Sequence, residues 1–356
     1  MSPSTSDLPP TMRAVRFDAA SRALTVTDVP VPVPSPTEVL VRVEACGICL
    51  SDVHLIDGSL PGPLPVVTLG HEAAGIVEQV GDLVQGWVPG QRVVLAGGRP
   101  CQHCHACVRG RFEECEAFEI MGFNYDGAWA QYVVVPAQTL TSIPDDMPFP
   151  EAAILADAVS TPYAALTERA GLRPGESIGL WGVGGLGVHA VQIARMVGAG
   201  PIIAVDPLES ARERALSVGA DVALDPTTED VPARVRELTG GRGLNVAVDL
   251  VGANVVLKQA AACLGRFGRV VMVGLSLDTV ELGPGVFFGV LGQSLLGHLG
   301  YSKRHLDELV DVVRLKRLDV SRSVSGLLPL DQTPAGVEQL QTKQGNPIRL
   351  VVQPWA

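Results

Sequence analysis

The chain has 356 residues, 47% hydrophobic and only 18% charged, which excludes a disordered protein and leaves enough apolar surface for two ordinary domain cores. A net charge of −11 and the lack of any Lys/Arg run argue against a nucleic-acid partner, since phosphate-backbone binding depends on basic stripes that release counterions. No uninterrupted run of about 18 apolar residues exists; the nearest, 178–197, is broken by glycines, a histidine and an arginine, so no membrane partner is expected.

In chain order, the Ser/Pro-rich residues 1–11 lack a basic n-region and an apolar h-region, and read as a frayed tail instead of a secretory signal. Short strands follow at 23–29, 38–44, 74–80 and 92–95, with Pro, Gly and Asp between them, giving an all-β front half. From about Ser160 the pattern changes. A strand at 178–182, a helix at 187–197 and a strand at 201–206 alternate, and further buried strands are expected at 246–250 and 269–274. Strand-helix-strand order implies a doubly wound parallel sheet. An amphipathic helix at 305–315 and an apolar strand at 348–352 close the chain, a tail expected to return to the front domain.

Of seven cysteines, four crowd into fifteen residues: Cys101, Cys104, Cys107 and Cys115. An odd total with four cysteines in one short cluster fits metal binding in a reducing compartment better than disulfides, so the cytoplasm is the expected location. Tetrahedral zinc takes four thiolates at about 2.3 Å, and two-residue gaps let one loop curl them inward. Four protein ligands leave no open position, so this lobe (about 97–116) is expected to hold a structural ion. His103 and His105 are surplus to a filled shell and read as exposed.

The turn Gly182-Val183-Gly184-Gly185-Leu186-Gly187 lies between an apolar strand and a helix, the setting in which GxGxxG cradles a dinucleotide pyrophosphate against a helix N-terminus. Asp206 ends the next strand about 20 residues on, where a carboxylate accepts from the adenosine ribose hydroxyls and repels a 2′-phosphate. NAD is therefore expected over NADP. Arg212 and Arg214 are near, but neither directly follows Asp206 as a phosphate clamp would.

Two polar clusters stand in the front half, Cys46-Gly47-Ile48-Cys49-Leu50-Ser51-Asp52-Val53-His54 and Gly70-His71-Glu72. With the cysteine lobe and the glycine turn in this order, the chain from about residue 12 to its end resembles the zinc-dependent alcohol dehydrogenases of the medium-chain dehydrogenase/reductase superfamily. The resemblance implies a GroES-like, mainly β catalytic domain (1–158 and 296–356) and a Rossmann cofactor domain (159–295). It implies a catalytic zinc on Cys49 and His71, with Glu72 beside the metal and Cys46 a small buried residue. The third ligand falls within 155–163, where many relatives carry cysteine and this chain offers Asp157. A carboxylate is a legitimate zinc ligand; the alternative is that Asp157 caps the following helix.

By the same resemblance, Ser51 takes the alcohol proton and passes it through the cofactor ribose to His54, and Asp52 orients His71. Thr161 and Leu186 are expected near the nicotinamide, Val251, Val273 and Leu275 in its pocket, and Arg349 at the pyrophosphate. Leu50 stands where many relatives place Arg or His against the pyrophosphate, so weaker NAD binding is expected. Leu60 and Trp129 correspond to substrate-pocket positions, and Gly97, where some relatives carry an aromatic, suggests room for a bulky substrate.

The expected protein thus carries two zinc ions and NAD, acts on an alcohol or carbonyl, and assembles as a homotetramer or homodimer. A zinc polyol or amino-alcohol dehydrogenase, a carbonyl reductase of the same fold, and a non-catalytic cofactor-binding structural protein remain as alternatives.

Overall fold

The computed structural model describes residues 8–356, apart from the side chain of Glu113. Of the tail expected over 1–11, residues 1–7 lie outside the described residues, and Thr11 already opens the strand Thr11–Asp18. Two compact units form. One runs through Asp157 and resumes at Ser302–Arg314 and Val320–Ala356; the other comprises Ala158–Tyr301 and Leu315–Asp319.

The first unit is built on the eleven-residue strand Glu38–Ile48, whose valines, alanine and cysteine are buried. It pairs antiparallel with Ala73–Val80, Tyr132–Pro136 and Arg349–Gln353. Register shifts at Leu40/Val41 and Val43/Ala45 mark bulges, which bend a strand and re-aim its end. At that end Cys46, Gly47 and Ile48 pair with Val352, Val351 and Leu350, so the last strand of the chain is laid beside the residues that lead into Cys49. The sheet continues through Arg92–Leu95 and Leu140–Ser142, with the parallel strand Val324–Pro329 on the far side of Arg349–Gln353. A separate three-stranded sheet holds Ala23–Pro30, Thr11–Asp18 and Val66–Thr68. Val39, Val41, Val43, Leu95, Trp129 and Leu140 are among the side chains of the unit's main core.

The second unit is a six-stranded, fully parallel sheet in the order Val222–Leu224, Ile202–Val205, Ile178–Trp181, Leu244–Asp249, Leu264–Met272, Ser294–Gly297. This is the doubly wound arrangement, in which strand order reverses beside the first strand and ligands bind at the carboxyl ends. The four residues of Ile178–Trp181 are all buried, which explains why they read as an unbroken apolar run.

The expected boundary at 295/296 moves to 301/302. Met272 pairs with Gly297, so residues just past 295 complete the parallel ladder and belong with the cofactor sheet. Residues Leu315–Asp319 also group with that unit, although the helix before them, Lys303–Arg314, does not.

Candidate metal centre and cofactor turn

Cys49 occupies the extended position (φ −103°, ψ 156°) before helix Leu50–Asp57, which Gly58 ends in the left-handed region at φ 78°. The Cys49 amide donates to Asp52 Oδ2 (2.9 Å), the carboxylate half of a capping box. The other oxygen, Oδ1, accepts from the Gly70 amide (3.3 Å) and lies 3.4 Å from His71 Nδ1. One fully buried carboxylate thus ties together two turns that are distant in sequence. Gly70, at φ 93°, admits no side chain: a Cβ would stand 2.4 Å from the Trp129 ring and 2.8 Å from Cys46 Sγ.

Asp157 lies in a π-helical turn, Leu155–Val159, between helices Phe149–Ile154 and Ser160–Ala164. Such single turns occur often at functional sites because the wider spacing re-aims one side chain. Here Asp157 Oδ2 is 3.2 Å from Cys49 Sγ and 3.7 Å from His71 Nε2. Val159, not Asp157, holds the position before the following helix, and it makes no side-chain cap, so the capping alternative does not apply. Ligand atoms of Cys49, His71, Glu72 and Asp157 all lie within 4.8 Å of one another.

The electrostatics of this cluster suit a cation. Burial and the Asp157 charge both push the Cys49 thiol up. Burial likewise lifts Glu72 to about 8, although Arg349 pulls in the other direction. Burial disfavours a charged His71 ring, yet Asp52, Asp157 and Cys49 outweigh it and hold its pKa well above the usual value. Acidic groups that raise one another's pKa in a desolvated space would each be relieved by a divalent ion at their centre. A thiolate, an imidazole and a carboxylate fit zinc, and three such ligands leave one position open.

Behind the cluster, Arg349 Nη2 lies 3.1 Å from Glu72 Oε1 and Nη1 donates to the Ile48 carbonyl (3.2 Å). Arg349, assigned by resemblance to the pyrophosphate, is only 2% exposed here. Gly47 makes room for the pair, since a Cβ there would stand 2.0 Å from Glu72 Oε2. Neither the Glu72–Arg349 pair nor the edge-on contact of Phe123 with the His71 ring (5.5 Å between centroids) was legible in the sequence. Ser51 Oγ is 3.3 Å from Cys49 Sγ, and half-buried His54 has Nδ1 2.9 Å from Ser59 Oγ.

Two of the three expected pocket residues, Trp129 and Gly97, are packed in the core. Trp129 is fully buried, with Nε1 donating to the Gly47 carbonyl (3.2 Å), so its indole packs as core beneath the His71 turn. A Cβ on Gly97 would stand 3.1 Å from the His71 carbonyl oxygen, so the glycine permits close packing of that turn where space for a bulky substrate was expected. Leu60 is half-buried, its amide on the His54 carbonyl (3.0 Å).

In the cysteine lobe, a short ladder of Gly98–Arg99 with Glu119–Ile120 forms the base. The Cys101–Cys107 and Cys104–Cys115 sulfurs are each 4.0 Å apart. That is about twice a disulfide bond and close to the edge, about 3.8 Å, of a tetrahedron of sulfurs at 2.3 Å from zinc. Amides of Cys101 and Cys104 donate to the Cys115 and Cys101 sulfurs (3.2 and 3.4 Å). His103 and His105 are exposed.

At the glycine turn, Gly182 takes φ 88° and its amide continues the ladder to the Val205 carbonyl (2.9 Å). Gly187 opens helix Gly187–Val197, and a Cβ there would stand 1.9 Å from the Gly182 carbonyl oxygen. Gly184 is exposed, with no atom within 4 Å of where a Cβ would be; Gly185 and Leu186 are half-buried. Asp206, 8% exposed, accepts from the Val183 amide on Oδ2 (2.8 Å) and from the Leu208 amide on Oδ1 (2.9 Å). Arg212 donates to the Asp206 and Pro207 carbonyls (2.8 Å each) and pairs with Asp225 (3.3 Å), which occupies its guanidinium. Val251 and Leu275 are exposed and Val273 is buried, beyond the strand ends Asp249 and Met272. Gly187→Ala is expected to raise the KM for NAD at least about tenfold, because backbone that must shift by more than an ångström displaces the phosphate-facing amides; unchanged NAD saturation curves would remove the turn from the site.

A mainly β unit carrying two metal-type clusters and a doubly wound unit carrying a dinucleotide turn together define a zinc-binding dehydrogenase. Residues 35–145 match the alcohol dehydrogenase GroES-like domain, and residues 185–314 match the zinc-binding dehydrogenase domain. The chain belongs to the zinc-dependent alcohol dehydrogenase family of medium-chain dehydrogenases. It is 36% identical over 274 residues to an NAD-dependent alcohol dehydrogenase of Sulfurisphaera tokodaii, covering 74% of this chain and 78% of that protein. To an L-threonine 3-dehydrogenase of Pyrococcus furiosus it is 35% identical, covering 76% and 77%. Among solved structures, alcohol dehydrogenase TADH from Thermus sp. ATN1 is 32% identical, with TM-score 0.89 and coverage of 96% and 99%. No described helix is long and apolar enough to cross a membrane.

Proposed function

We propose that this oxidoreductase transfers hydride between an alcohol and NAD, with one zinc at Cys49, His71 and Asp157 and a second at Cys101, Cys104, Cys107 and Cys115. The observation that carries the reading is the convergence of thiolate, imidazole and carboxylate in one buried cluster, because a structural or purely binding protein has no need of a three-ligand metal position. Bound there, zinc supplies a Lewis acid that eases loss of the alcohol proton, while NAD supplies the hydride acceptor. The balance is alcohol and NAD+ giving carbonyl, NADH and one proton.

The chain's own groups handle that proton and hold the ligands. Ser51 Oγ, beside the Cys49 sulfur, accepts it from the substrate hydroxyl. His54, three residues on along the same helix and fixed by Ser59, releases it to solvent. Asp52 fixes the His71 ring by its Nδ1 side, so that Nε2 faces the cluster. Asp206, by excluding a second negative group at the ribose, favours NAD.

The reading is tested by following NADH absorbance with primary, secondary, aromatic, polyol and amino alcohols, with and without a zinc chelator. Chelator-sensitive NADH formation is expected; silence across the panel, with zinc and NAD bound, would overturn it. Leu50, 45% exposed at the start of its helix, supplies no charge to a phosphate. Leu50→Arg is expected to tighten NAD about tenfold, as one charge-assisted hydrogen bond does; equal NAD dissociation constants by fluorescence titration would count against it.

A further inference from the structure

His298 is the first residue beyond the last strand of the parallel sheet, Ser294–Gly297. Its amide donates to the Met272 carbonyl (3.0 Å), continuing the ladder and placing it at the carboxyl rim of the sheet, where a doubly wound fold binds its ligand. Next along that rim, the Val273 and Gly274 amides bond the Asp249 carbonyl. From this rim the half-buried imidazole reaches the carbonyl of Thr161, with Nε2 3.2 Å away. That carbonyl already accepts from the Ala165 amide inside its helix, so the imidazole takes its second lone pair. A carbonyl only accepts, so Nε2 carries the proton in this contact.

We infer that His298 is a positioning residue: it clamps the Thr161 backbone to the rim of the cofactor sheet and thereby fixes the surface against which the nicotinamide ring lies. The inference rests on the reading that Thr161 meets the nicotinamide. Thr161 lies four residues beyond Asp157 on one helical stretch that contains a π-helical turn on either side, Leu155–Val159 and Ala165–Arg169, where the regular backbone ladder is interrupted. A helix so interrupted has weaker internal restraint, and a side-chain hydrogen bond between the two turns restores it. Hydride transfer responds steeply to the placement of the ring, whereas the adenosine and pyrophosphate contacts lie at the glycine turn and Asp206.

The test compares zinc-replete wild type, His298→Leu and His298→Gln; the glutamine amide places an N–H donor at about the reach of Nε2. Loss of one such hydrogen bond corresponds to roughly three- to tenfold in an equilibrium or a rate. The leucine variant is expected to keep two zinc ions and a KM for NAD within about twofold, to lose kcat by that factor, and to show a larger primary deuterium isotope effect on kcat. The emission of bound NADH should shift, and glutamine should restore both. A leucine variant with wild-type kcat, isotope effect and bound-NADH emission would overturn the inference, as would a glutamine variant that fails just as leucine does. Wild type that binds NADH but oxidises no alcohol would overturn the proposed reaction alone, since the emission comparison still decides the role of His298. Wild type that binds no NADH would overturn both.

Discussion

Asp157→Ala is expected to leave the protein with one zinc instead of two and to lower kcat for alcohol oxidation about a thousandfold, because the Lewis acid contributes several kcal/mol to the transition state. Asp157 Oδ2 approaches both the Cys49 sulfur (3.2 Å) and His71 Nε2 (3.7 Å). Without it two ligands remain, and Glu72, paired with Arg349, would have to weaken that pair to replace the third. Asp157→Cys separates ligand loss from damage to the helix: it keeps an anionic donor and should retain the second zinc and much of the turnover. Metal content by atomic absorption, read beside kcat, checks both variants. Full zinc occupancy and unchanged turnover in the alanine variant would take Asp157 out of the metal site.

The second large effect concerns the lobe. Cys104→Ser is expected to release the other zinc, to make 100–116 a site of tryptic cleavage at Arg109 or Arg111, and to lower Tm by roughly 5–10 °C, since a few kcal/mol shifts a domain of this size by about 2–4 °C per kcal/mol. Among the described residues the regular structure of the lobe is a two-residue ladder and two 3-10 turns, and Phe112 and Val108 remain exposed, so little apolar burial would replace the lost metal. Its four sulfurs, by contrast, already stand near a tetrahedral spacing. At low temperature the variant should keep much of its turnover, because Cys49, His71 and Asp157 are untouched. Zinc analysis together with limited trypsinolysis distinguishes this from a global loss of fold; an intact lobe with two zinc ions would refute a structural role for it.

Several features were legible because their determinants are close in sequence. Cys101, Cys104, Cys107 and Cys115 lie in one loop, and the glycine turn runs directly from strand Ile178–Trp181 into helix Gly187–Val197. The apolar runs of the parallel sheet are equally visible, since strands buried on both faces admit few polar residues. The strands Thr11–Asp18 and Val324–Pro329 were not legible; in the second, the glycine and adjacent exposed residues give a weak alternation. The surroundings of Gly97 and Trp129 were not legible, because chain position says nothing of what a residue packs against; one lies on the His71 carbonyl and the other under the same turn.

The sequence by itself determined the two-part architecture, the sulfur lobe, the dinucleotide turn and the identities of the groups that meet at the buried cluster, since each is written in residue type and short spacing. Only the tertiary structure decided how those groups meet. The Ile48–Leu350 register lays Arg349 against Glu72, the π-helical turn aims Asp157 at Cys49 and His71, and the sheet rim brings His298 to Thr161. The physical reason is that these contacts depend on strand register and helix phase summed over long stretches of chain, and no local pattern of residues encodes either.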